Sequence, residues 1–175
     1  MKQLALCVAV LLFGFPALAV KHHDPLNQVE INQLRDTAQD PLERLKLYVE
    51  FARARLQALD KARGDPKVTD RGQETHDRLQ DFLDVFDELN DNVDTFADRK
   101  EDLRKALKVV IEGDSEFQSK LRALKDAAEA TPAETKAYDF LLTNAIETLD
   151  SSIEDHRQLL DEQEEAAKHK KKNSH

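Results

Sequence analysis

A heptad repeat of apolar residues between positions 79 and 128 constrains the fold more than any other feature of the sequence. All d positions are apolar: Phe82, Leu89, Phe96, Leu103, Val110, Phe117 and Leu124. The a positions are apolar in six of eight cases: Leu79, Phe86, Val93, Leu107, Leu121 and Ala128. Lys100 and Asp114 are the exceptions. This spacing is typical of helices that pack side by side with a left-handed twist.

The repeat is compatible with one helix or with two. Asp98 with Glu101 can begin a new helix, and residues 113–115 with Gln118 can begin another. Because the apolar phase passes through both places unchanged, we favour a single helix over 79–128, about 75 Å long. The alternative is a break near Asp98, which would give an up-and-down four-helix bundle.

Motifs that contain proline mark three other helix starts, at 24–25, 40–43 and 131–134. Each places proline in the first helical turn, where its missing N–H costs little. The last two add a glutamate in the capping-box position. We predict that the second helix ends near Arg63 and that the last one continues to Ala167. The last helix carries an apolar stripe: Tyr138, Leu142, Ile146, Leu149, Ile153, His156 and Leu160.

Composition supports an all-α class. The chain has 4 Gly and no Trp, and it is rich in residues that favour helix. We therefore predict an antiparallel helical bundle with coiled-coil-like packing of roughly three to five helices. The bundle domain spans 41–167. A segment with a short helix (20–40) precedes it, and a disordered basic tail (168–175) follows it.

Residues 1–19 have the pattern of a cleaved export signal. A positive start is followed by an apolar run over 4–15 and by the small-x-small motif at 17–19. The run is too short to cross a bilayer comfortably. We predict cleavage after Ala19 and a periplasmic or secreted chain that begins at Val20. Cleavage would also remove Cys7, the only cysteine.

The charge of the chain argues against a nucleic-acid partner. The net charge is −9, and an acidic body repels phosphate backbones. Four lysines lie in the last eight residues: Lys168, Lys170, Lys171 and Lys172. This tail is a candidate for weak contact with anionic lipid head groups or other envelope polyanions, and a solubilising chain end is the alternative. The processed chain contains no apolar segment long enough to be transmembrane.

The processed N-terminus is a candidate metal site formed by Val20, Lys21 and His22. A free amine with histidine at the third position can bind Cu(II) or Ni(II) through the amine, two backbone amides and the imidazole. His23 is a candidate outer ligand. Apart from this site, we predict no cofactor.

Three further features have simpler explanations. We predict that His156 is a core histidine bonded to a carboxylate, either Glu154, Asp155 or one from a facing helix; a pH-sensitive element is the alternative. The acidic series between Asp81 and Asp98 lacks the loop of a calcium site, so we interpret it as a solvated helix face. Four phenylalanines have helical spacing that predicts core packing: Phe82, Phe86, Phe96 and Phe117.

These observations predict a non-enzymatic scaffold or protein-interaction module of the cell envelope, able to self-associate through its heptad seams. No set of residues has the relation of nucleophile, base and orienting group that catalysis requires. One alternative is a copper- or nickel-binding protein that uses Val20, Lys21 and His22. A second is a holdase-like chaperone that binds clients through exposed phenylalanines.

Overall fold

The computed structural model describes residues 25–128 and 131–173, which form six α-helices. The helices are α1 (Gln28–Asp36), α2 (Pro41–Gly64), α3 (Arg71–Asp98), α4 (Arg104–Ala128), α5 (Pro132–Thr135) and α6 (Asp139–Asn173). No strand occurs in these residues. The predicted all-α bundle is confirmed. It is built by four long helices, α2, α3, α4 and α6, to which α1 and the single turn α5 are added.

The four long helices alternate in direction along the chain. Helix α2 packs against α3 and α4, and α6 packs against α4 and α3. Helices α2 and α4 are parallel, because Arg53 and Asp60 of α2 pair in the same order with Glu116 and Lys120 of α4. The consecutive helices α3 and α4 therefore lie diagonally across the bundle.

A turn over residues 99–103 divides the heptad repeat, so the favoured prediction of one long helix is wrong and the four-helix alternative is correct. Lys100 has a φ of 61°, which is the left-handed conformation. The Lys100 N–H donates to Ala97 O, and the Glu101 N–H donates to Phe96 O. These are the two bonds of a Schellman motif, which ends a helix. The heptad phase survives because α3 and α4 each direct their own apolar stripe into the same core.

The second candidate break, at residues 113–115, does not occur. Helix α4 continues through it, and Gly113 is buried where α4 packs against α2. A Cβ atom at this position would lie 2.7 Å from Val49 Cγ1. The glycine therefore permits close packing between two helices and does not end one.

The predicted helix starts are correct in part. Helix α2 begins at Pro41 with Asp40 as its N-cap and ends at Gly64, as predicted. Helix α1 begins at Gln28 instead of Pro25, because Asn27 and Glu30 form a complete capping box. The predicted start at 24–25 lies partly outside the described residues.

The last predicted helix is interrupted early. Helix α5 has four residues, and its N-cap Thr131 makes no side-chain capping bond. Glu134, the predicted capping-box partner, bonds to Arg63 of α2 instead, with an N–O distance of 3.0 Å. Helix α6 then extends to Asn173, so the tail from residue 168 is helical where disorder was predicted. Alanine and lysine, which favour helix, continue the helix beyond the bundle.

Aromatic rings fill the centre of the core. Phe82 and Phe86 stack with ring centroids 5.7 Å apart, and Phe117 lies edge-on to Phe82 at 5.5 Å. All three are fully buried. The contact joins α3 to α4 across the bundle diagonal and explains why both halves of the heptad repeat are apolar.

Candidate functional site

A buried histidine–aspartate pair joins α6 to α4. His156 Nδ1 lies 2.9 Å from Asp114 Oδ2, and the two residues are 4% and 0% exposed. The prediction that His156 is a core histidine bonded to a carboxylate is confirmed. Its partner comes from the facing helix, since Glu154 and Asp155 point to solvent. Asp114 occupies an a position of the heptad repeat, which is the sequence signal for its burial.

The electrostatics of this pair are unfavourable in part. Burial raises the pKa of Asp114 above its ordinary value, although His156 and then Arg157 act in the opposite direction. Asp114 Oδ1 has no hydrogen-bond partner among the described residues. A buried carboxylate with one unsatisfied oxygen depends strongly on the bond that it does make.

A second polar contact lies near the histidine–aspartate pair and joins α6 to α3. The side-chain amide of Asn90 donates to Ser152 Oγ at 3.1 Å, and Ser152 lies one turn before His156 on α6. A serine, a histidine and an aspartate are therefore grouped in this part of the bundle. Because Ser152, His156 and Asp114 are all buried, a substrate could reach them only if the bundle opened. The arrangement is suited to orienting helices rather than to binding a substrate.

One of the described phenylalanines is exposed, and the others are buried. The four predicted core phenylalanines are all buried: Phe82, Phe86, Phe96 and Phe117. Phe51 is buried as well. Phe140, in the first turn of α6, is 87% exposed. The exposure of Phe140 is not predictable from the sequence, because it depends on how α5 turns into α6.

The acidic series on α3 does not form a metal site. Its members are partly or fully exposed along the helix. Partial burial and then the neighbouring Asp84, Asp91 and Glu88 raise the pKa of Asp87. Within residues 25–128 and 131–173, no group of three or more His, Cys, Asp or Glu side chains is placed to hold a metal ion. The candidate metal residues Val20, Lys21 and His22, like the signal at 1–19, lie outside the described residues.

A groove lies between the turn that joins α3 to α4 and the last part of α6. It is lined by three alanines, three basic residues, two carboxylates and one amide: Ala97, Ala166, Ala167, Lys100, Arg104, Lys170, Glu101, Asp102 and Gln163. The Gln163 side chain accepts from the Leu103 N–H at 2.8 Å and donates to Glu101 O at 3.1 Å. These bonds attach the turn to α6 and bring basic residues from distant parts of the sequence together.

Two ion pairs organise the same end of the bundle. Arg104 bonds to Asp102 at 2.6 Å, and Lys108 bonds to Glu164 at 2.8 Å. The hydrogen bond from Arg104 lowers the pKa of Asp102 to about 2. Lys108 lowers the pKa of Glu164, with smaller effects from Lys168 and Arg104. Lys168 is therefore electrostatically part of this end.

None of the helices in the described part of the chain is long and apolar enough to cross a membrane. Comparison with protein-family models, with curated proteins and with solved structures gives no match to this chain.

Proposed function

We propose that the protein is an exported, non-enzymatic helical module of the cell envelope that binds a protein partner through the surface around Phe140. Export is inferred from the signal pattern of residues 1–19. The single observation that carries the binding proposal is the exposure of Phe140. It is 87% exposed in a fold whose other described phenylalanines are buried.

The surroundings of Phe140 resemble the layout of a protein contact. On α6 its neighbours one turn further along are Thr143 and Asn144, and the exposed Lys136 and Ala137 lie in the turn that precedes α6. A groove lies beside the start of α6 and is lined by Lys125, Ala128, Pro132, Thr135, Lys136 and Asp139. An exposed aromatic side chain is a common anchor at a protein interface, and polar and charged residues usually surround such an anchor.

The heptad seams do not provide this contact. Their apolar residues are buried inside one chain, so a second copy cannot use them unless the bundle opens. The phenylalanines that motivated the holdase alternative are buried for the same reason. We therefore predict self-association only through the surface around Phe140. A second copy of the chain is one candidate partner for this surface.

A photo-crosslinking amino acid at position 140 tests this proposal in cells that produce the full chain. The matched control carries the same group at Glu147, which is exposed on the same helix. We expect a discrete adduct from position 140 and none from position 147. An adduct of twice the chain mass would identify a second copy, and any other mass a different protein. Absence of an adduct at 140, or equal adducts at both positions, would contradict the proposal.

Processing is tested separately. We expect the protein recovered outside the cytoplasm to begin at Val20, and an Ala19→Asp variant to stay uncleaved because the peptidase requires a small residue there. Recovery of the wild-type chain in the cytoplasm with residues 1–19 intact would contradict export.

A further inference from the structure

We propose that the end of the bundle opposite Phe140 docks on the surface of an anionic lipid bilayer. This basic end comprises residues 99–108 and 164–172. These two segments contain nine Lys and Arg residues and four Asp and Glu residues, in a protein whose net charge is −9. Asp98 and Glu162 border it, and so do Asp40 and Glu43 at the start of α2, which lies at this end because Arg44 bonds to Asn92 near the end of α3.

Few of these cations are neutralised within the protein. Among the described residues, only Arg104 and Lys108 of the basic end form ion pairs. Exposed cations without an ion pair come from the turn, from α4 and from α6: Arg99, Lys100, Lys105, Lys168, Lys170 and Lys172. Asp102 is held by Arg104 through two side-chain hydrogen bonds, at 2.8 and 2.6 Å, which lower the pKa of Asp102 to about 2. The remaining cations are available to an external anion.

The juxtaposition is a product of the tertiary structure. Gln163 attaches the turn to α6 through two hydrogen bonds, so that Lys100 and Lys170 line the same groove. The sequence indicated only a lysine-rich tail. The fold makes that tail helical as far as Asn173 and adds the cations of the turn to it.

A planar anionic surface fits this distribution better than a polymer does. A bilayer whose plane is perpendicular to the bundle axis contacts this end of the bundle alone. Most of the acidic residues along the flanks then lie farther from the bilayer surface than the Debye length of about 10 Å. A long nucleic acid would have to pass along those flanks, where repulsion is strong. Residues 164–172 offer no apolar side chain larger than alanine for insertion. The contact is therefore electrostatic adsorption, in which each cation near the surface strengthens binding.

The proposed orientation also separates the two binding surfaces. Helix α6 has 35 residues, a length of about 52 Å, with Phe140 near one end and Lys170 near the other. Docking through the basic end would direct Phe140 away from the membrane. The two proposals rest on different residues and can fail independently.

The test is co-sedimentation of the chain that begins at Val20 with lipid vesicles. One set is phosphatidylcholine alone, and in the other about one third of the lipid is phosphatidylglycerol. The first triple variant replaces three exposed lysines of the basic end: Lys100→Gln, Lys168→Gln and Lys170→Gln. The control triple removes the same charge from exposed lysines of the opposite end: Lys61→Gln, Lys67→Gln and Lys136→Gln.

We expect wild type to bind only the vesicles that contain phosphatidylglycerol, with binding that weakens as salt is added. The basic-end triple should bind roughly 100-fold more weakly, and the control triple and Phe140→Ser should bind as wild type does. Equal losses in both triples, or no preference for anionic vesicles, would overturn the proposal. The proposal would also be overturned if soluble polyphosphate bound to the same lysines as tightly as the vesicles do. The surface would then recognise polyanions in general.

Discussion

The imidazole of His156 and the carboxylate of Asp114 meet inside the bundle core, with 2.9 Å between Nδ1 and Oδ2. The contact crosses from α6 to α4, and both residues are buried. Asp114 has one further oxygen, Oδ1, that no described residue satisfies. The histidine is therefore the group on which the burial of this carboxylate depends.

Replacement of His156 should destabilise the fold strongly. In His156→Ala the buried Asp114 loses its partner, and breaking a buried pair costs about 3–5 kcal/mol. Urea unfolding followed by circular dichroism measures the change in the free energy of unfolding. His76→Ala is the control, since His76 is partly exposed, and we expect less than about 0.5 kcal/mol from it. Equal effects at the two positions would contradict the role given to Asp114.

The pair should also make stability depend on pH in a defined direction. The pKa of Asp114 is raised above its ordinary value by burial. The folded state therefore binds the carboxyl proton of Asp114 more strongly than the unfolded state does. The resulting stabilisation is present below about pH 4, the pKa of an unfolded aspartate, and it is lost as pH rises through the folded pKa.

Asp114→Asn isolates this effect, because asparagine does not titrate. The unfolding free energy of wild type minus that of the variant should fall as pH rises above about 4. Urea titrations of both proteins across this range measure the difference. A difference that stays constant or rises would show that the pKa of Asp114 is not raised in the folded state.

Replacement of Lys100 by glycine should stabilise the protein. Lys100 has a φ of 61°, and a left-handed backbone costs a residue with a Cβ atom about 1–2 kcal/mol. We expect Lys100→Gly to raise the free energy of unfolding by about 1 kcal/mol. Lys100→Ala is the matched control, because it removes the same side chain but keeps Cβ. A similar gain in both variants would assign the effect to charge instead of backbone conformation.

The close approach of α2 and α4 should make Gly113 difficult to replace. In Gly113→Ala the new Cβ would lie 2.7 Å from Val49 Cγ1, and both residues are buried. We expect a loss of about 1–3 kcal/mol from overpacking, even though alanine favours helix. In the double variant with Val49→Ala, the loss should be smaller than the sum of the two single losses. Additive losses would show that the two side chains do not compete for space.

The N-terminal metal hypothesis makes a prediction of its own. The chain that begins at Val20 should bind about one equivalent of Cu(II) and give a visible absorption band typical of nitrogen ligands. The band should disappear in His22→Ala and persist in His23→Ala. A processed protein that gives no band, or a band that survives His22→Ala, would remove the metal-binding alternative.

Several features were predictable because they follow from local rules. The capping by Asp40 and the end of α2 at Gly64 depend on neighbouring residues only. Burial of His156 followed from its place on an apolar stripe. Its partner was not predictable, since the choice among carboxylates depends on which helix faces α6.

The interruptions of the helices were harder to predict. The turn at Lys100 uses a residue that is not glycine, stabilised by backbone bonds to Ala97 and Phe96, so it has no clear signature. Glu134 resembled a capping residue, but Arg63, distant in sequence, attracts its side chain. In the second case a contact formed by the folded chain overrides a local preference.

The sequence by itself determined the all-α class, the apolar stripes and the helix starts at Pro41 and Pro132, because periodicity and capping are properties of consecutive residues. Only the tertiary structure decided that the heptad repeat folds back on itself, that Asp114 faces His156, and that Lys100 and Lys170 line one groove. It also decided that Phe140 remains outside the core. These outcomes depend on which helix faces meet, and that is set by the joint packing of side chains far apart in the chain.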